Sequence, residues 1–142
     1  MTTFVDTNVL VYARDTSERD KQPAAWAWMR HLWESEAGRT STQVLNEYYV
    51  TVTRKLSPGL DRAIARDDVA DLQAWRPAVI DHRTVTTAWS LEDRYGLSWW
   101  DSLVVASAIE LGCDRLLTED LADGQRYDRL VVTNPFRHPP PT

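Results

Sequence analysis

The chain has 142 residues, 43% of them hydrophobic and 26% charged, and its 16 Lys and Arg face 21 Asp and Glu for a net charge of −5. That length suits one domain with a substantial core, and the composition excludes a fibrous or extensively disordered protein. The longest uncharged apolar run, Leu103 to Ile109, is too short to cross a bilayer, the start Met1-Thr2-Thr3-Phe4-Val5-Asp6 lacks the features of a signal peptide, and the lone Cys113 allows neither a disulfide framework nor a cysteine metal site.

Phe4-Val5 reads as a short strand that ends in the turn Asp6-Thr7-Asn8, with a short helix beginning at Val9 to Tyr12. A helix is predicted from Lys21 to Glu36, with Pro23 in its first turn and Trp26, Met29 and Trp33 on one stripe. Gly38 is its stop, and Arg39 to Ser41 is a brief strand. Thr42 caps the next helix, which runs to about Leu56 before the break Ser57-Pro58-Gly59. A further helix covers Asp61 to Trp75, and Ala78-Val79-Ile80 is a third short strand. Thr84 to Tyr95 is helical up to Gly96, and Ser98 opens a very apolar helix through Leu111, with Gly112 just beyond. Arg115-Leu116-Leu117 and Leu130-Val131-Val132 are two last strands. Residues 1–136 form a single domain on this reading, and the tail 137–142 with its Pro139-Pro140-Pro141 is extended or disordered.

Short apolar strands alternating with helices argue an α/β sandwich around a short parallel sheet. In such sheets ligands bind beyond the carboxyl ends of the strands, which draws attention to four acids. Asp6 follows the first strand, where a turn or helix cap would also explain it. Glu47 lies at the border of an apolar stripe carrying Val44, Leu45, Tyr48 and Tyr49, a common place for a solvated flank residue. Asp101 completes Ser98-Trp99-Trp100-Asp101, a capping pattern ahead of an apolar helix. Asp120 follows the strand Arg115-Leu116-Leu117 in a polar loop where Glu119 and Asp123 compete for the same role.

The conjunction carries more than any member. Two of the acids lie just past strands and two lie in helices bordering the same edge. Gathered carboxylates need a cation, since one like-charged pair at about 4 Å costs about 4 kcal/mol at an effective dielectric near 20. All-oxygen ligation suits magnesium or manganese, and such ions suit phosphoryl chemistry. The net charge weighs against nucleic acid as a ligand. It weighs less once the acids have a purpose, and once Lys21 and Lys55 are seen to be the only lysines, so that Arg supplies the remaining basic residues.

With those residues in view, the chain resembles the PIN-domain family, and more closely its VapC-type ribonuclease toxins of toxin–antitoxin pairs. Phe4-Val5-Asp6-Thr7-Asn8-Val9-Leu10 is similar to the family's first acidic motif, Gln43-Val44-Leu45-Asn46-Glu47-Tyr48-Tyr49 to its second and Leu97-Ser98-Trp99-Trp100-Asp101-Ser102-Leu103 to its third. Leu116-Leu117-Thr118-Glu119-Asp120-Leu121 is similar to the fourth, and Val132-Thr133-Asn134-Pro135-Phe136 to a common ending of the subgroup. The resemblance implies a three-layer α/β/α domain and a cytoplasmic, Mg2+- or Mn2+-dependent endoribonuclease with Asp6, Glu47, Asp101 and Asp120 as catalytic and metal-binding residues. Asp6 and Asp101 would be the direct ligands, Glu47 and Asp120 would complete the set directly or through water, and Asn8 and Thr118 would support them. In-line attack of metal-activated water on an RNA phosphodiester would leave a 5′-phosphate and a 3′-hydroxyl. The partners implied are the RNA substrate, a second copy of the chain in a dimer, and a cognate antitoxin. A basic side chain of that antitoxin would enter the acidic pocket, while a helical segment would pack on the helix Lys21 to Glu36, at a surface including Trp28.

Two readings of other classes compete. A haloacid-dehalogenase-like phosphatase would also use an acid in the position of Asp6, but it needs a second acid two residues on, where Asn8 stands, and neither lysine follows a late strand. A non-catalytic binding module draws support from seven Trp, of which Trp28 falls off the main stripe of its helix.

Overall fold

Alternation of side chains along a strand puts Phe4 and Leu116 on one face of the sheet and Val5 and Leu117 on the other, and all four are fully buried. Both faces of the sheet are therefore covered, as an α/β sandwich requires. The computed structural model describes residues 1–142. Strands β1 (Thr3–Val5), β2 (Gly38–Arg39), β3 (Arg115–Leu117), β4 (Arg126–Tyr127) and β5 (Leu130–Thr133) make one sheet in the order β2-β1-β3-β5-β4. The pairs β2–β1, β1–β3 and β3–β5 are parallel, and only β4 runs antiparallel, against β5. Six helices flank it: α1 (Thr7–Arg14), α2 (Lys21–Ser35), α3 (Thr42–Val50), α4 (Arg62–Leu72), α5 (His82–Tyr95) and α6 (Trp99–Glu110).

The order of strands creates the site. From β1 the chain goes to β2 on one side, then crosses to β3 on the other, so the sheet divides at the carboxyl end of β1. A crevice at that switch point is where open parallel sheets hold ligands. Val5 pairs with Leu117, which sets Asp6 beside Thr118 at the first positions beyond their strands.

Helix α6 shows how firmly the edge is anchored. Ser102 to Ala108 are all buried, so the helix is enclosed on every side and its N-terminus emerges at the carboxyl edge. Ser98 caps it by accepting the N–H of Asp101 at 3.1 Å.

Several boundaries differ from expectation for identifiable reasons. Ser41 rather than Thr42 caps α3, and the end of that helix widens into a π turn over Thr51–Lys55. Ala78 makes only an isolated bridge to Ser41, because the chain at β2 enters a helix immediately and offers no ladder to extend, so the expected strand Ala78-Val79-Ile80 does not form. The two-residue β4 carries no apolar run and depends on a turn with Asp128 at φ 55, which left it invisible in the sequence. Gly38 does not stop α2; Glu36 does so in the left-handed region, and Gly38 is needed because a Cβ there would stand 2.3 Å from the Trp75 indole.

The largest correction concerns α2. Trp28 was expected on the surface, yet it is 1% exposed, while Trp26 and Trp33, expected to face the core, are 56% and 39% exposed. Ala25, Trp28, Met29 and Leu32 form the buried stripe. Two overlapping helical stripes share Met29, and distant partners select between them. The Trp28 Nε1–H donates to the His138 carbonyl at 2.8 Å, and the Arg115 guanidinium lies 5.0 Å from its ring centroid. The tail is thereby tied down at His138, whose imidazole also meets Asp123 at 2.7 Å.

Candidate metal centre and catalytic site

Asp6 ends β1 and caps α1, and only 5% of it is exposed. Its Oδ1 accepts the Thr7 N–H at 2.7 Å, and its Oδ2 accepts the Thr118 hydroxyl at 2.9 Å. That hydroxyl in turn accepts from the Asp120 N–H at 3.1 Å and from Asn8 Nδ2 at 2.9 Å. Asn8 Nδ2 also donates to Asp120 Oδ2 at 3.1 Å, and Asn8 Oδ1 accepts the Glu119 N–H at 3.3 Å. One side-chain amide thus fixes the loop after β3 to the first turn of α1. Asn8 is fully engaged as a brace, and as an amide it supplies no acid–base group two residues beyond Asp6, which weighs against the phosphatase reading.

The same loop separates the three acids that competed there. Glu119 turns away from Asp6, with Lys21 Nζ at 2.9 Å and the Tyr12 hydroxyl at 2.7 Å, so its charge is matched. Asp123 accepts the Asn134 N–H at 2.9 Å and meets His138. Asp120 alone has no basic partner.

Asp101 stands in the first turn of α6. The capping reading of this residue is half met: its N–H is taken by Ser98, but its carboxylate accepts no hydrogen bond from the protein and joins no ion pair. Glu47 projects from α3 with both oxygens held, Oε2 by the Thr7 hydroxyl at 2.9 Å and Oε1 by Gln43 Nε2 at 3.3 Å.

Electrostatics ties three of the four together. The Asp6 carboxyl is pushed up to about 7, chiefly by burial; the hydrogen bonds from Thr7 and Thr118 oppose this, and the charges of Asp120 and Asp101 add to it. Asp120 is likewise raised, by burial first, against the Asn8 hydrogen bond and with Asp101 and Glu119 adding. Glu47 joins the group through Thr7, the neighbour of Asp6. No basic side chain pairs with Asp6, Glu47, Asp101 or Asp120.

A divalent cation fits this set. The donors are all hard oxygens, and like charges with no counter-charge are what such an ion relieves. No three acidic, His or Cys side chains stand close enough to enclose an ion by themselves, so a cation held here would need water or substrate oxygens for the rest of its shell. A second observation agrees: Gln43 Oε1 is buried beside Glu47 with no hydrogen-bond partner, an acceptor that a shell water would satisfy.

Sequence reasoning passed over Thr7 and Gln43 as functional residues. Thr7 had a usable signal, a hydroxyl next to an acid at a strand end. Gln43 had none beyond lying one helical turn before Glu47.

The chain matches the sequence pattern of the PIN domain over residues 3–129. Among solved structures, it is similar to a toxin–antitoxin complex from Klebsiella pneumoniae, with a TM-score of 0.66 and 18% identity over 94% of this chain and 98% of that one. It is also similar to the sarcin-ricin loop cleaving toxin VapC20 of Mycobacterium tuberculosis, at 0.62 and 21% identity over 81% and 87% of the two chains. A third is VapBC2 of Rickettsia felis bound to a DNA fragment from their promoter, at 0.60 and 17% identity over 94% and 98%. Among curated proteins no sequence matches.

Proposed function

The chain belongs to the PIN-domain family, and from that membership together with its carboxylate edge we propose that it is a divalent-cation-dependent endoribonuclease, the toxin of a toxin–antitoxin pair. The observation that carries the reading is the bonded set Asp6, Thr118, Asn8 and Asp120 at the carboxyl edge, with the charge of Asp101 raising both carboxyls and no basic residue to balance them. Asp6 and Asp101 would hold a Mg2+ or Mn2+ ion, with Asp120 and Glu47 completing its surroundings directly or through water. Bound there, the ion would neutralise phosphate oxygens and acidify a water.

The chain's own residues do the rest. Thr118 and Asn8 fix the orientation of Asp6 and Asp120, and Thr7 and Gln43 each take one lone pair of Glu47, which leaves lone pairs on both oxygens for a water proton. His31 and His82 make no bond to any of the four acids, and His138 is spent on Asp123 and the tail. On this reading water attacks the phosphorus, the P–O3′ bond breaks, and the departing O3′ takes a proton, leaving a 5′-phosphate and a 3′-hydroxyl.

The solved relatives described as complexes support an inhibitory partner. Trp28 is buried and offers it nothing. The seat is instead a groove of about 370 Å3 among α1, α2 and α4, where Trp26 and Trp33 supply apolar surface over buried Met29 and Leu72, and Arg14 and Asp71 flank it. Exposed Trp beside charged residues suits an amphipathic helix.

The test is cleavage of labelled RNA by the full chain with Mg2+, Mn2+ or EDTA, with Asp6→Asn in parallel. Metal-dependent cleavage leaving 5′-phosphate ends, absent in Asp6→Asn, is the expected result. RNA bound but left intact with either metal would favour the binding-module reading.

A further inference from the structure

Helix α6 leaves one large apolar side chain mostly in water. Leu103, Val104 and Val105 are at most 4% exposed, and Trp99 packs against the core, yet its neighbour Trp100 is 62% exposed. Water is a costly place for an indole, at about 25 cal/mol for each Å2 of apolar surface. The position is also not free to wander. The Trp100 carbonyl accepts Gln43 Nε2 at 3.4 Å, the same amide that holds Glu47, and the next residue is Asp101. Successive residues of a helix point about 100° apart. One turn therefore directs a carboxylate toward Asp6 and Asp120 and a rigid aromatic plane to the rim beside them.

Resting on the ribonuclease reading, we propose that Trp100 is the stacking platform for an unpaired nucleobase next to the scissile phosphate. An acidic edge gives RNA little attraction through its backbone, and this net-negative chain needs another source of affinity. A base offers a π face whatever its identity, and stacking on an aromatic side chain does not depend on phosphate charge. A paired base cannot offer that face, which selects loops, bulges and free strands over duplex. Trp99, partly buried against the core, anchors the start of the helix, and the bond from Gln43 to the Trp100 carbonyl keeps that backbone in register with the acids.

The experiment measures binding of a fluorescein-labelled single-stranded RNA to the full chain in an Asp6→Asn background, by anisotropy. Parent-background, Trp100→Ala and Trp100→Phe proteins are compared, with the intact strand and with copies carrying one abasic nucleotide at successive positions. Loss of one stacked base predicts roughly 5- to 150-fold weaker binding for Trp100→Ala and near-parent binding for Trp100→Phe. At one position the abasic strand should abolish the difference between Trp and Ala. In the catalytically intact chain, Trp100→Ala should raise KM with kcat little changed. Equal RNA affinity of Trp100→Ala and its parent overturns the proposal, as does equal loss in Ala and Phe variants. A Trp100→Ala change that alters only self-association by sedimentation assigns the indole to a second copy and also overturns it. If the unmodified chain cleaves RNA while any of these results holds, stacking alone has failed; if it neither cuts nor binds RNA, the nuclease reading has failed with it.

Discussion

At the carboxyl edge of the sheet, Asp6, Thr118, Asn8 and Asp120 hold one another through a closed set of polar bonds, whereas along α2 the decisive contacts are those of Trp28 with the tail and with Arg115. The chemistry of the first region is legible locally, although its bonds are long-range. Each acid sits in its own short motif at a strand end or helix turn, and chemistry can be read from residue type. The second is specified from afar. Whether Trp28 or Trp26 faces inward is settled by residues more than 80 positions away, and no window of α2 contains that information. The difference separates what a residue can do from where it is allowed to do it.

The greatest effect should fall on the packed side. Trp28→Ala removes a fully buried indole and its hydrogen bond to His138, and should cost about 3–5 kcal/mol in urea unfolding. Trp26→Ala should stay within about 0.5 kcal/mol of the parent while weakening capture of the helical partner. Similar stability losses from both changes would mean that the two faces of α2 are not as distinct as their burial.

This contrast also governs what was legible. The alternation of strands and helices, the switch-point edge and the positions of Asp6 and Asp120 beyond β1 and β3 follow from apolar runs and turn residues, which are local properties. The distinction among Asp120, Glu119 and Asp123 is not local, because Lys21 and His138 reach in from elsewhere to engage the latter two. Sequence likewise could not show that the Asp101 carboxylate is free while its N–H is capped. The strand expected at Ala78-Val79-Ile80 failed since apolar β-branched residues form a strand only where a neighbour offers a ladder.

The polar edge can be probed through its protons. Asp6 titrates at about 7 in the fold against a reference of 3.8. Between those values the folded chain binds a proton that the unfolded chain has released, so metal-free stability should fall as pH rises from about 4 to about 7 and level off above. The slope is at most about 1.4 kcal/mol per unit. Asp6→Asn should flatten it, and Mg2+ or Mn2+ at pH 8 should restore stability to the parent but not to the variant. Identical pH profiles for the two proteins in chemical denaturation would show that Asp6 carries no such strain.

Asp101→Asn should lower RNA cleavage by more than about 100-fold, beyond the loss usual for groups that merely orient a metal ligand. Its carboxylate has no protein partner to lose and its N–H keeps Ser98, so Tm should move by no more than a few degrees. Unchanged cleavage by a folded Asp101→Asn would remove α6 from the centre and leave the carboxylates of β1 and β3 to act without it.

The smallest effect is the most discriminating, because it asks whether Glu47 belongs to the polar edge at all. Its charge is not among those that raise the Asp6 carboxyl, and its link to the others is the Thr7 hydroxyl at 2.9 Å. Thr7→Val keeps the shape and removes that donor. If Glu47 works in concert with Asp6, the variant should cleave about 10- to 100-fold more slowly, the range for partners that orient a ligating group. Thr7→Ser, which restores a hydroxyl without the methyl, should recover most of the rate. A general packing defect would instead track the lost methyl and make Ser worse than Val. Cleavage at the parent rate by Thr7→Val would reduce the working centre to Asp6, Asp101 and Asp120, and Glu47 would then be the solvated helix-flank residue that its local sequence suggests.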